Sequence, residues 1–249
     1  MSELIRLENV GKTYEGQGAG GIAVLKNVNL SIREGEFAAV MGPSGSGKST
    51  LLSILGGINP PTSGRMLVDG MDIYSLKIEK QADFRREYIG FVFQQHFLMP
   101  FLTALENVML PLTIARLNGS KREIAKAALD KVGLGDKLDR LPNQLSGGEQ
   151  GRVAIARAIA NEPLILLADE PTGTLDTKTG HEIMQIFRAL NEEGRTVIMV
   201  THSAECAAYA RRLISIRDGE IVGDERKKEA EMGTGRFRIN QLLEDGRPD

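Results

Sequence analysis

The 249-residue chain predicts an α/β fold in which a block of helices interrupts the strands of a sheet. Three patterns predict it. Short apolar runs at Phe37 to Met41, Leu164 to Ala168 and Thr196 to Val200 read as buried strands. Between the first two, from about 95 to 161, helical spacing and capping signals take over. Turn pairs such as Asp69-Gly70 and Asp218-Gly219 close short strands on either side.

Taken in order, Leu4 to Val10 reads as a half-buried strand and Val24 to Ile32 as a second. Glu15 to Gly21 between them is a glycine-rich hairpin loop or flexible insert. Phe37 to Met41 runs into glycines, Ser49 to Leu55 has helical character, and Arg65 to Val68 ends at Asp69-Gly70. Ser120 to Glu123 forms a capping box opening a helix to Val132, which stops at Gly133. Ser146 to Glu149 forms a second box, opening a helix to about Ala160. A further helix, about Thr179 to Glu193, ends at Gly194, and Arg212 to Val222 predicts a hairpin. From Asp224 onward the chain is charge-rich and predicts a short helix and a loose tail.

Composition narrows the function classes. With 26% charged and 41% hydrophobic residues, the chain can build a packed core, which excludes a disordered protein. A formal net charge of -2 gives no global field toward nucleic acid or anionic lipid. The single cysteine, Cys206, excludes an internal disulfide and fits a reducing compartment. No apolar leader opens the sequence, and the most apolar stretch, Phe97 to Ala115, is broken by Pro100, Glu106, Asn107 and Pro111. A bilayer-spanning helix needs about 20 mostly apolar residues. A cytoplasmic protein is expected, touching a membrane only through a partner.

The chemistry begins at Gly42, Pro43, Ser44, Gly45, Ser46, Gly47, Lys48 and Ser49, a full G-x-x-x-x-G-K-[ST] between a strand and a helix. Glycines let backbone N–H groups close around phosphate oxygens, and the helix adds its positive end. Lys48 is a point charge for the β- and γ-phosphates, and Ser49 can ligate Mg²⁺, with Thr50 beside it in the phosphate-binding set. A chance glycine-rich turn would lack that strand–loop–helix context. The loop predicts nucleoside triphosphate binding.

Leu164 to Ala168 delivers Asp169 and Glu170 to the strand end where parallel sheets bind ligands. Alternation along a strand would aim them apart, with Asp169 on the metal side and Glu170 as general base or water positioner. Leu145-Ser146-Gly147-Gly148-Glu149-Gln150 puts a serine cap and two bare glycines at a helix N-terminus, a second anion site.

That last motif resembles the signature of the ABC (ATP-binding cassette) ATPases, and with the others in order the resemblance covers roughly Leu4 to Val222. It implies a single domain over 1–249: a P-loop NTPase core with an antiparallel β subdomain and an inserted α-helical subdomain. It implies ATP and Mg²⁺, with Tyr14 stacking on adenine, Gln94 reaching Mg²⁺ and the attacking water, and His202 at the γ-phosphate. Gly173-Thr174-Leu175-Asp176 matches the loop crossing a dimer interface, so Asp176 joins the nucleotide set. Two copies would face head to tail, each Ser146-Gly147-Gly148 closing on the partner's ATP. An integral membrane permease would be the other partner, at the cytoplasmic face of the inner membrane, with no nucleic acid. Met41 to Leu55, Ile89 to Pro111 and Asn143 to Ala158 look most like the lipoprotein-releasing and macrolide-exporter group. A mechanotransmitting ATPase that activates cell-wall enzymes is the alternative.

Three residues depart from the family's usual pattern: Gly151, Thr174 and Ser203. None removes a phosphate or metal ligand, so hydrolysis stays the expectation. His96, His181 and Cys206 lack metal-ligand spacing and read as ordinary structural residues. Arg226-Lys227-Lys228, followed by Glu229 and Glu231, reads as a solvated face. Phe97 to Leu102 is either subdomain core or a groove for a short helix of a membrane partner.

Overall fold

The computed structural model describes residues 2–15, 21–115 and 119–227. A long hairpin opens the fold, β1 (Glu3–Tyr14) and β2 (Ile22–Arg33). Then come β3 (Phe37–Met41), α1 (Lys48–Leu55), β4 (Ser63–Val68), β5 (Met71–Asp72), α2 (Ile78–Tyr88) and β6 (Ile89–Val92). Three helices follow, α3 (Ala104–Met109), α4 (Lys121–Lys131) and α5 (Gly147–Ile159). The chain returns through β7 (Ile165–Asp169), α6 (Thr177–Glu192), β8 (Thr196–Thr201) and α7 (Ala204–Ala207), then the hairpin β9 (Arg212–Arg217) and β10 (Glu220–Arg226).

The strands form two sheets. One is antiparallel, in the order β2-β1-β4-β5; the other runs β10-β9-β3-β8-β7-β6 and is parallel except for its β9–β10 edge. The apolar runs are continuous because the second sheet is covered on both faces. In β3, Phe37 and Ala39 join the core on the helical side, while Ala38 and Val40 join the core shared with the other sheet. Strands β7 and β8 divide in the same way. Helix α1 lies in the shared core, with Leu51, Leu52, Ile54 and Leu55 fully buried. Each such side chain contributes about 1.5–3 kcal/mol relative to exposure. The loop preceding α1 is therefore fixed between two buried elements.

The predicted α/β core with inserted helices is the observed fold. Elements run longer than their apolar signal, because backbone pairing carries β1 to Tyr14 and β10 to Arg226. The segment from Asp224 thus begins as strand, not helix; its remainder and residues 16–20 of the glycine-rich loop lie outside the described residues. Helix α2 had no prediction, because its sequence is largely charged and buries only Phe84 and Tyr88. The box at Ser120 is half formed: Ser120 accepts from the Glu123 N–H at 3.4 Å, and the return bond from Glu123 is not made. Gly133, at φ +73°, follows α4 as expected of a stop. No helix among the described residues is long and apolar enough to cross a membrane.

Candidate nucleotide site

Strand β3 runs straight into the glycine-rich loop, whose shape depends on missing side chains. A Cβ on Gly42 would lie 2.1 Å from the Ile216 carbonyl oxygen of β9, so nothing larger fits. Gly47 caps α1 at φ +99°, a left-handed conformation that glycine adopts without steric penalty. The Lys48 ammonium reaches back and donates to the carbonyl oxygens of Gly42 and Pro43, both at 2.9 Å. Its charge is thereby held over the mouth of the loop, above a helix N-terminus.

Beside the loop, the Ser49 hydroxyl donates to Asp169 Oδ1 at 3.2 Å. Burial at the end of β7 pushes the Asp169 carboxyl above its usual range, with the Ser49 hydrogen bond and the Lys48 charge opposing. Glu170 does not continue the strand. It sits at φ +46°, with its N–H on the Val200 carbonyl at 3.0 Å. The two carboxylates therefore diverge because of this left-handed residue, and strand alternation is not the cause. Glu170 Oε1 meets His202 Nδ1 at 2.8 Å, and Oε2 lies 3.4 Å from both the Thr201 hydroxyl and the His202 N–H. A left-handed glutamate carries backbone strain of about 1–3 kcal/mol, and these bonds hold it in place.

The remaining predicted residues surround this edge unevenly. Gln94 follows β6 and is exposed, its amide nitrogen 3.1 Å from where a Gly173 Cβ would stand. Tyr14 is 40% exposed, its hydroxyl accepting from Asn59 Nδ2 at 2.6 Å, with the Lys12 ammonium 5.1 Å from its ring centre. Asp176 caps α6, accepting from the Thr179 N–H at 3.1 Å and its hydroxyl at 2.6 Å. Thr179 thereby holds the Asp176 carboxyl below its usual range.

The signature segment forms the complete box predicted for it. Ser146 Oγ accepts from the Glu149 N–H at 3.2 Å, and Glu149 Oε2 accepts from the Ser146 N–H at 2.7 Å. Glu149 also pairs with Lys137, which with the Ser146 N–H brings its carboxyl down to about 2. Gly147 lies against the turn before α6, where a Cβ would stand 3.4 Å from Leu175 Cδ2, and Gly148 lies against the first turn of α6, where a Cβ would meet Thr179 Cγ2 at 2.2 Å. Among the described residues no hydrogen bond joins Ser146, Gly147 or Gly148 to the Lys48 loop. One chain brings together Lys48, Ser49, Asp169, Glu170 and His202 and leaves its own signature segment outside that group.

Several neighbours escaped the sequence reading. Thr201 and the His202 N–H support Glu170, and Asn59 fixes Tyr14; their spacing in sequence carries no signal. Lys12 was legible in principle, since it precedes Tyr14 by two on the same strand face. Of the departures, Ser203 has a clear role, capping α7 by accepting from the Cys206 N–H at 3.3 Å. Gly151 is buried and faces His96 and Ile183; nothing in the structure explains Thr174. His181 is bonded to the Tyr209 hydroxyl at 2.8 Å.

Comparison with known proteins gives the family. The family described as ABC transporter matches residues 25–173. An ABC transporter ATP-binding protein of Methanocaldococcus jannaschii, MJ1508, is 52% identical over 220 residues, covering 88% of this chain and 98% of that protein. The macrolide export ATP-binding/permease protein MacB of Chlorobium phaeobacteroides is 50% identical over 257 residues, covering 99% of this chain; the chain spans 39% of that longer protein. A solved dimer of the Methanocaldococcus jannaschii cassette MJ0796, in a post-hydrolysis state bound to ADP and Pi, superposes with a TM-score of 0.84 at 48% identity, covering 91% of this chain and 100% of that one. With a family match over most of its core and relatives this similar over nearly their whole length, the chain belongs to the ATP-binding proteins of the ABC transporter family.

Proposed function

We propose that the chain hydrolyses ATP as one half of a head-to-tail dimer and thereby drives an integral membrane permease from the cytoplasmic face of the membrane. The observation that carries this reading is the cluster at one sheet edge: Lys48 over its loop, Ser49 on Asp169, and Glu170 on His202. The loop and Lys48 would bind the β- and γ-phosphates, with Thr50 on the same helix, and Tyr14 would stack on adenine. Hard oxygen donors such as Ser49 and Asp169 suit Mg²⁺, and Gln94 would complete the set. When bound, Mg²⁺ neutralises charge on the phosphate oxygens.

Glu170 orients a water in line with the γ-phosphorus and accepts its proton as the new P–O bond forms and the bond to ADP breaks. With Nδ1 committed to Glu170, His202 keeps Nε2 for the γ-phosphate, and Lys48 offsets the developing charge. Ser146, Gly147 and Gly148 lie apart from Lys48 of their own chain, which supports their use on a partner's nucleotide, with Asp176 at the same interface. The dimer of MJ0796 and the joined permease of the MacB relatives support both partners.

The test is purification of the Glu170→Gln variant from solubilised membranes with ATP and Mg²⁺. A co-purifying permease is expected. Recovery of ribosomes or nucleic acid without any membrane protein would overturn the reading.

A further inference from the structure

The buried glycine of the signature helix and a histidine just beyond Gln94 are packed as a pair. Gly151 lies in α5 one turn after Gly147, and a Cβ there would stand 3.4 Å from His96 Cε1 and 3.5 Å from Ile183 Cδ1. The His96 ring is half-buried in that space. Six residues further along the same helix, Arg157 donates to the carbonyl oxygens of His96 and Phe97, both at 2.6 Å. Phe97 is left-handed at φ +46°, which turns its carbonyl toward that guanidinium.

The segment carrying Gln94 is thus fastened to α5 at two points. Gly151 and Arg157 are six residues apart, roughly 9 Å along a helix. A single contact would let the loop pivot; two contacts spaced along a rigid rod make loop and helix move together. Gln94 precedes His96 by two residues, too short a stretch to absorb a displacement.

We infer that His96 is a positioning residue: seated against Gly151 and backed by Arg157, it transmits the position of Gln94 to the N-terminus of the signature helix. The inference rests on the hydrolytic reading above. It also gives Gly151 a reason, since a longer side chain there would occupy the space of the imidazole. A merely tolerated glycine would show no dependence on residue 96.

The experiment moves the bulk from the loop to the helix. In the purified full chain, His96→Ala and Gly151→Leu should each lower kcat for ATP by about tenfold, with ADP affinity unchanged within about twofold. The double variant, with leucine filling the space left by the ring, should recover to within about threefold of wild type. Wild-type kcat in both single variants, or a double variant worse than either, would overturn the inference. Hydrogen exchange without nucleotide gives a readout independent of hydrolysis. His96→Ala should speed exchange of the amides of Gly147 to Gln150, and unchanged exchange there would overturn the coupling. A wild type that hydrolyses no ATP would defeat the hydrolytic reading instead, and the exchange result would still decide whether loop and helix are joined.

Discussion

Glu170 holds His202 by a 2.8 Å hydrogen bond to Nδ1, and does so from a left-handed backbone one residue beyond the strand that carries Asp169. The two acids are neighbours in sequence yet serve different partners, Asp169 facing Ser49 and Glu170 facing His202. An amide at position 170 keeps the size and the hydrogen bond to the imidazole but cannot accept a proton. Glu170→Gln is therefore expected to bind ATP and dimerise while losing about 10²–10⁴-fold in kcat. Single-turnover hydrolysis of bound ATP checks it, and near-normal turnover would remove Glu170 from the catalytic role.

Asp169 gives a prediction with a definite sign in pH. Its folded pKa is raised, chiefly by burial, so its ionised form destabilises the nucleotide-free fold. The contribution is most favourable below the ordinary carboxylate pKa and is lost as pH rises through the raised value. Asp169→Asn should therefore melt higher than wild type at neutral pH without nucleotide, and the difference should shrink in acid. With ATP and Mg²⁺ the order should reverse, because only the carboxylate gains a cation. Thermal melts at two pH values, with and without Mg²⁺, decide it; a variant that melts lower without nucleotide contradicts the burial argument.

Glu149 has the opposite sign. Its carboxyl is held at about 2 by Lys137 first and the Ser146 N–H second. That stabilisation is complete above the ordinary glutamate range and is lost as pH falls toward 2. Glu149→Ala removes half of the capping box and is expected to cost about 1 kcal/mol at pH 7. Urea titration at pH 7 and near pH 3 should show the difference narrowing in acid. An equal difference at both would mean that the charge of Glu149 is not what stabilises the helix.

The core strands and the capped signature helix were legible because their signals are local: apolar runs covered on both faces, and a serine three residues before a glutamate. Less legible was everything decided by neighbours far away in sequence. Helix α2 forms from a charged segment because Phe84 and Tyr88 find the core between the sheets. The hairpin β1–β2 extends to Tyr14 because pairing outlasts the hydrophobic alternation. At the site, Lys48, Asp169, Glu170 and His202 could be named from their motifs, yet the left-handed Glu170 could not, since its conformation is fixed by Val200, Thr201 and His202 across the sheet. Gly151 departs from the family's usual pattern, and the residue that faces it, His96, lies far away in sequence.

The segment after Gln94 was open to two readings, and its side chains differ in exposure. Leu98 packs against the helical core, whereas Phe97, Met99 and Phe101 are 57%, 45% and 84% exposed, with Ile114 at 68%. A phenylalanine as bare as Phe101 is costly to leave in water and suits a surface that docks on a partner. Phe101 contributes little to the fold of the isolated chain, so Phe101→Asp should leave its stability and ATP affinity within about 0.5 kcal/mol of wild type. A carboxylate placed in the contact should instead prevent capture of the permease and abolish stimulation of hydrolysis by it. Pull-down and ATPase assays on the same preparation separate the two effects. Loss of ATP binding in the purified variant would assign Phe101 to the nucleotide site, and an undiminished permease complex would place the docking surface elsewhere.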